Sequence, residues 1–160
     1  MPRLILMRHA KSSWKSEAKS DHERPLNKRG KHDSPLMGSW LAEMGWTPEM
    51  VLSSDSKRTR ETLAGMLPSF ESPSVYWMSN FYHGGISNIR SALMMAETLP
   101  ETVLLLGHNP GWEMALTWLS GSEKTMTTGN AALLSADNWT VGLRSSGNWT
   151  LNNLLRPKER

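Results

Sequence analysis

Leu4-Ile5-Leu6-Met7-Arg8-His9-Ala10 and Val103-Leu104-Leu105-Leu106-Gly107-His108-Asn109-Pro110-Gly111 are the two stretches whose reading decides the fold. Each is a continuous apolar run that ends in a histidine. A run that is apolar at every position, rather than at alternate ones, marks a strand covered on both faces, as in a parallel sheet. The second run passes into Asn-Pro-Gly, which reads as a cap and the first turn of a helix. Histidines at the C-terminal ends of such strands lie where open α/β sheets bind their ligands.

Working outward, Arg3 to Met7 reads as a strand, and Lys11 to Gly30 as a polar loop without periodicity. A loop that long in a compact domain is usually functional. Ser34-Pro35 marks a helix start, followed by Leu36, Met37, Trp40, Leu41 and Met44 at helical spacing, with Gly45 as the stop. Met50 to Ser53 is a second strand. A helix from Asp55 to Leu67 follows, with Asp55 helping to begin it. Val75 to Met78 is a third strand. A helix through Ile86, Ile89, Leu93 and Ala96 ends near Pro100, and Thr102 to Leu106 is a fourth strand. Trp112, Ala115, Leu116 and Leu119 mark a helix that Gly121 stops. Ala131 to Ala136, Thr140 to Leu143 and Trp149 to Leu155 read as closing strands. This β-α alternation predicts a three-layer α/β/α fold: a mostly parallel central sheet flanked by helices, in one domain over 1–160.

Composition narrows the chemistry. The 160 residues contain no cysteine, which removes disulfides, thiolate metal sites and a cysteine nucleophile, and is compatible with a reducing cytoplasm. No apolar run is long enough to span a membrane, and the start is too short for a signal peptide. Net charge is only +3. Bases cluster at Arg24 to Lys31, Lys57 to Arg60 and Arg156 to Arg160, as solvated surface or as a rim that steers an acidic partner. They form no recognisable nucleic-acid motif, so no nucleic-acid partner is expected.

Of the five histidines, only His9 and His108 follow strand-like runs. A neutral imidazole is a good nucleophile toward phosphorus. Arg8 supplies a planar fork suited to phosphate. Arg58 falls at the start of the second helix, where free N–H groups also favour an anion. Two histidines, two arginines and a helix end together make an anion pocket able to position and stabilise a transferring phosphoryl group.

Arg8-His9-Ala10-Lys11 resembles the Arg-His-Gly signature of the histidine phosphatase superfamily, the phosphoglycerate-mutase-like fold. Leu26 to Gly30, Ser53-Ser54 through Arg58 to Thr62, and Gly107-His108 are similar to further motifs of that family, in its order. The length and the Arg-His-Ala-Lys-Ser-Ser-Trp form look most like the compact SixA-type phosphohistidine phosphatases. The resemblance implies that His9 attacks phosphorus and is transiently phosphorylated. Arg8, Arg58 and His108 hold the phosphoryl oxygens, and Ser12 contacts phosphate. No metal or other cofactor is implied. Ala10 departs from the usual Gly, and Lys15 stands where larger members often have Asn. Many members also place a carboxylate after the third strand. Here that stretch is Met78-Ser79-Asn80-Phe81-Tyr82-His83-Gly84-Gly85, with His83 as its one candidate proton donor. The implied activity is a cytoplasmic phosphohydrolase acting on phosphohistidine in a protein, such as a histidine phosphotransfer domain in signal transduction. The alternative is a small-molecule phosphomonoesterase or phosphomutase of the same superfamily.

Overall fold

The computed structural model describes residues 1–15 and 17–160; Ser16, within the loop expected over 11–30, lies outside the described residues. The main elements in chain order are β1 (Arg3–Arg8), α1 (Lys28–Glu43), β2 (Met50–Ser54), α2 (Lys57–Met66), β3 (Ser74–Met78), α3 (Ile86–Met95), β4 (Thr102–Gly107), α4 (Gly111–Ser120), β5 (Ala131–Ser135), α5 (Trp139–Arg144) and β6 (Thr150–Leu155). The strands form one sheet in the order β3-β2-β4-β1-β5-β6. The first four of these are mutually parallel, while β5 runs antiparallel to β1 and β6 antiparallel to β5.

Successive strand residues point to opposite faces. Leu4 and Leu6 of β1 and Val103 and Leu105 of β4 therefore enter one core, with Ile89 and Leu93 of α3 and Trp112, Leu116 and Leu119 of α4. Ile5, Met7, Leu104 and Leu106 enter a second core, with Met37 and Leu41 of α1 and Leu63 and Met66 of α2. The sheet is covered on both faces, as the continuous apolar runs require, and the expected three-layer architecture is present.

Three local expectations change. Helix α1 begins at Lys28, not at Ser34-Pro35. Asn27 caps it, its Oδ1 accepting from Gly30 N at 2.9 Å. The first two turns bury Gly30, Asp33 and Ser34 rather than apolar side chains, so no hydrophobic period announces them. Pro35 sits inside the helix, where it removes one intrahelical donor; both Pro35 and Lys31, whose carbonyl loses that donor, are exposed. Residues 140–143 lie in α5, not in a strand. Asn138 caps that helix, accepting from Val141 N at 2.8 Å, and the Trp149 indole donates to Gly142 O at 2.8 Å. A short apolar run fits either period, and the cap decides it here. Finally, Ser56 rather than Asp55 caps α2.

Candidate active site

Strand register makes the site. Arg8 pairs with Gly107 across β1 and β4, so the next residue of each strand, His9 and His108, emerges at the same sheet end. His9 N donates to Gly107 O at 3.1 Å, and the two imidazole centroids are 5.2 Å apart. β2, on the other side of β4, brings Ser54 to the same end. The Ser56 side chain, accepting from Thr59 N at 3.4 Å, starts α2 there. Arg58, in the first turn of α2, is buried against His9, its Nε 3.4 Å from His9 Nε2.

The hydrogen bonds define the two rings. His9 Nδ1 lies 2.7 Å from Ala10 O. A carbonyl only accepts, so Nδ1 carries the proton and Nε2 presents its lone pair. Burial, reinforced by the Arg58 and Arg8 charges against the opposing Ala10 hydrogen bond, brings the His9 pKa down to about 3. His108 is brought to about 3 by burial, with His9 and Arg58 adding to the effect. Both rings are neutral at physiological pH. His108 Nε2 faces the hydroxyls of Ser54 at 2.8 Å and Ser56 at 3.4 Å. A hydroxyl that donates to Nε2 leaves the ring proton on Nδ1. That Nδ1 is buried with no protein partner, as is Arg8 Nε; the third such side-chain atom among the described residues is the acceptor Asn109 Oδ1. Buried donors without partners are rare. Arg8 Nε is such a donor, and His108 Nδ1 is a second in the tautomer protonated there, both at the same end of the sheet.

These groups line a cavity of about 270 Å³. Arg8, His9, Arg58 and His108 converge in its wall, and Ser12 lies in the same wall. All five expected site residues are thus brought together. Ser12 is held by Arg24, whose Nη2 donates to Ser12 Oγ and whose guanidinium lies 3.4 Å from the centroid of the exposed Trp14 ring. Arg24 is therefore a wall of the cavity rather than a solvated charge. His83 is exposed and meets the Tyr82 ring edge to face without lining the cavity.

Sequence reasoning missed Asp21. It lies on a short 3₁₀ turn, Asp21–Glu23, in the long polar loop. That loop folds back through a bridge between Ser12 and Leu26. The Asp21 carboxylate takes Arg58 Nη2 at 3.1 Å, Arg24 Nη1 at 2.7 Å and the Tyr82 hydroxyl. The Tyr82 hydrogen bond, then Arg58 and Arg24, hold its pKa at about 2 against the opposing effect of partial burial. A carboxylate thus reaches the pocket, but from the loop after β1 rather than from the segment after β3. The signal available in sequence was the loop's length, together with an acid and a base three residues apart. His22 beside it bonds Asp55 Oδ1 at 2.9 Å.

A model of the histidine phosphatase superfamily (branch 1) matches residues 4–78, the segment that supplies Arg8, His9, Ser12 and Arg58. An uncharacterized chloroplastic protein of Arabidopsis thaliana is 38% identical over 169 residues, covering 97% of this chain and 78% of the relative. The chain belongs to the histidine phosphatase superfamily. Among solved structures, the protein histidine phosphatase SixA complexed with tungstate is 25% identical, with a TM-score of 0.84 and 98% of each chain covered. A mycobacterial glucosyl-3-phosphoglycerate phosphatase shares the fold at 14% identity, with a TM-score of 0.70 over 94% of this chain and 97% of that one. The chain is accordingly a histidine-phosphatase-type enzyme with a phosphorylated substrate, and its sheet and helices are those of the phosphoglycerate-mutase-like fold. Among the described residues no helix is long and apolar enough to cross a membrane, and no three His, Asp or Glu side chains converge as a metal site.

Proposed function

We propose that the chain, acting as one domain over 1–160, hydrolyses phosphohistidine on a protein, such as a histidine phosphotransfer domain, through a phospho-His9 intermediate. The observation that carries the first half is the His9 tautomer: the proton is on Nδ1, bound to Ala10 O, and the Nε2 lone pair lies in a cationic pocket with Arg58 Nε 3.4 Å away. Nε2 attacks phosphorus and the bond to the leaving group breaks. Arg8, Arg58 and His108 Nδ1–H stabilise the charge that spreads over the phosphoryl oxygens. Water then attacks phosphorus, the P–Nε2 bond returns its electron pair to His9, and the water's proton leaves with inorganic phosphate.

The absence of an available acid supports this substrate class. Asp21 is the one carboxyl among the described residues of the cavity wall, and with a pKa of about 2 it is ionised. It has no proton to give an alkoxide. An imidazole leaving group is itself readily protonated and needs no such help, whereas general acid catalysis contributes about 10²–10⁴-fold for ester oxygens. The proposed compartment is the cytoplasm; a fluorescent fusion distinguishes this from the plastid location named for the Arabidopsis relative.

The test pairs a phosphohistidine protein or peptide with an alkyl phosphomonoester, each with wild type and His9→Ala. Expected are a kcat/KM at least about 10²-fold higher for phosphohistidine and a labelled, acid-labile enzyme intermediate that His9→Ala lacks. Equal turnover of the two substrates overturns the substrate class. Activity retained in His9→Ala overturns the nucleophile.

A further inference from the structure

A second cavity, of about 330 Å³, abuts the first. Arg8, Lys11 and Thr128 line both, so the two share a wall. The second is bounded further by Arg29, Asp33 and Lys158. Four cationic side chains thus meet one carboxylate, and that carboxylate is already engaged. Asp33 takes Arg29 Nε at 3.2 Å through one oxygen and His32 Nδ1 at 3.2 Å through the other. Neither Lys11 nor Lys158 has a carboxylate partner among the described residues. Like charges gathered in a concave site repel one another and focus a positive potential into it.

Three separate pieces of backbone are fastened together to build this concavity. Gly30 of α1 lies so close to the loop after β1 that a Cβ would stand 2.2 Å from Lys11 O. That same carbonyl accepts from Asn27 N at 3.0 Å. At the opposite rim, Gly129 has φ 78° and packs against Pro157. Arg156 ties the C-terminal turn to the loop before β5, donating to Asn130 Oδ1 at 2.8 Å and to Thr125 O at 3.1 Å. Lys158 follows directly. On the shared wall, Arg8 uses Nη1 on Met126 O at 3.1 Å and keeps a buried Nε without a partner.

We propose that this second cavity is an anion subsite, which takes a further phosphate or carboxylate carried by the substrate beside the phosphoryl group that is transferred. The proposal rests on the reading of the first cavity as the phosphoryl pocket. The subsite makes the enzyme selective for substrates with two neighbouring anionic groups, whether the second belongs to a phosphorylated small molecule or to an acidic side chain near the phosphorylated one.

The test is competitive inhibition of p-nitrophenyl phosphate hydrolysis. The probes are methylphosphonate, phosphonoacetate and the methylene, ethylene and propylene bisphosphonates, measured with wild type, Lys158→Gln, Lys158→Glu and Arg29→Gln. Expected is at least one two-anion probe with an inhibition constant about tenfold below that of methylphosphonate, a gain that shrinks as salt is raised. Lys158→Gln and Arg29→Gln should remove most of the gain, and Lys158→Glu all of it, with the methylphosphonate constant changed less than about twofold. Phosphonoacetate against the bisphosphonates tells whether carboxylate or phosphate is preferred. If methylphosphonate competes but no two-anion probe does better, or if the gain survives in all three variants, the subsite is overturned and the phosphoryl pocket stands. If methylphosphonate itself does not compete, the phosphoryl pocket falls and the subsite with it.

Discussion

A histidine that attacks phosphorus has to be neutral and has to keep its lone pair on the attacking nitrogen; burial keeps His9 neutral, and Ala10 O, by holding the proton on Nδ1, leaves the lone pair on Nε2 beside Arg58. Removing a donor to the phosphoryl oxygens should act on the transition state more than on binding. Arg58→Ala and His108→Ala are expected to lower kcat about 10²–10³-fold, with smaller changes in KM, measured by steady-state kinetics on phosphohistidine. Asp21 works in the other direction. Its carboxylate occupies the Arg58 Nη2 that an incoming phosphate would use. Asp21→Asn should therefore tighten product inhibition by inorganic phosphate several-fold, and unchanged inhibition would show that the carboxylate does not compete for Arg58. At this scale the readable residues were those next to a strong local pattern. His9 and His108 follow apolar strands, and Arg58 follows a serine-rich helix start. Asp21, Arg24 and Tyr82 come from segments without periodicity, and only the folded loop brings them to the pocket.

Helix starts carry the geometry of the site one level up. Ser56 both caps α2 and faces His108 Nε2, so Ser56→Ala should cost about 1 kcal/mol and lower Tm by about 2–4 °C. Activity should fall by more than that stability loss explains, because His108 faces that hydroxyl and Arg58 sits in the helical turn it caps. Thermal unfolding and kcat measured on one preparation separate the two effects. Gly30 sets how closely α1 approaches the loop after β1. Gly30→Ala should destabilise the fold by roughly 1–3 kcal/mol through overpacking against the backbone, read as a shifted urea midpoint. The elements most legible in sequence were those with long apolar periods: β1, β4 and α4. The start of α1 was hidden because its inward positions are glycine, aspartate and serine. α5 was misread because four residues cannot tell a period of two from one of 3.6.

Over the whole molecule, the buried neutral histidines tie stability to pH. Each of His9 and His108 has its pKa lowered from 6.5 to about 3 on folding. Below 6.5 the unfolded chain takes up protons that the folded chain refuses, so their contribution is full above that pH and is lost progressively toward 3. Asp21, lowered from 3.8 to about 2, adds a loss only at the acid end of that range. The urea midpoint should fall as pH is lowered from 7 to 4, and His9→Asn/His108→Asn should flatten that dependence. A dependence of the same steepness in the double variant would remove the histidines as its source. The three-layer architecture was legible because strands buried on both faces leave runs with no polar alternation. The antiparallel turn of the sheet at β5 and β6 leaves no such mark, since direction is set by connection lengths and the packing of neighbours.

The strand order has a consequence for how the chain assembles. β4 lies between β1 and β2, yet it is made some ninety residues after β1 and follows β2 and β3 as well. Until it inserts, β2 can pair only with β3, and β1 lacks its parallel neighbour altogether. Both halves of the pocket wait on one late strand, and closing that separation is slow by its contact order. A ribosome-stalled chain ending before residue 102 should leave His9 exposed to acylating reagents. The full chain should shield it in a single concerted step, with nucleophile and phosphate cage appearing together.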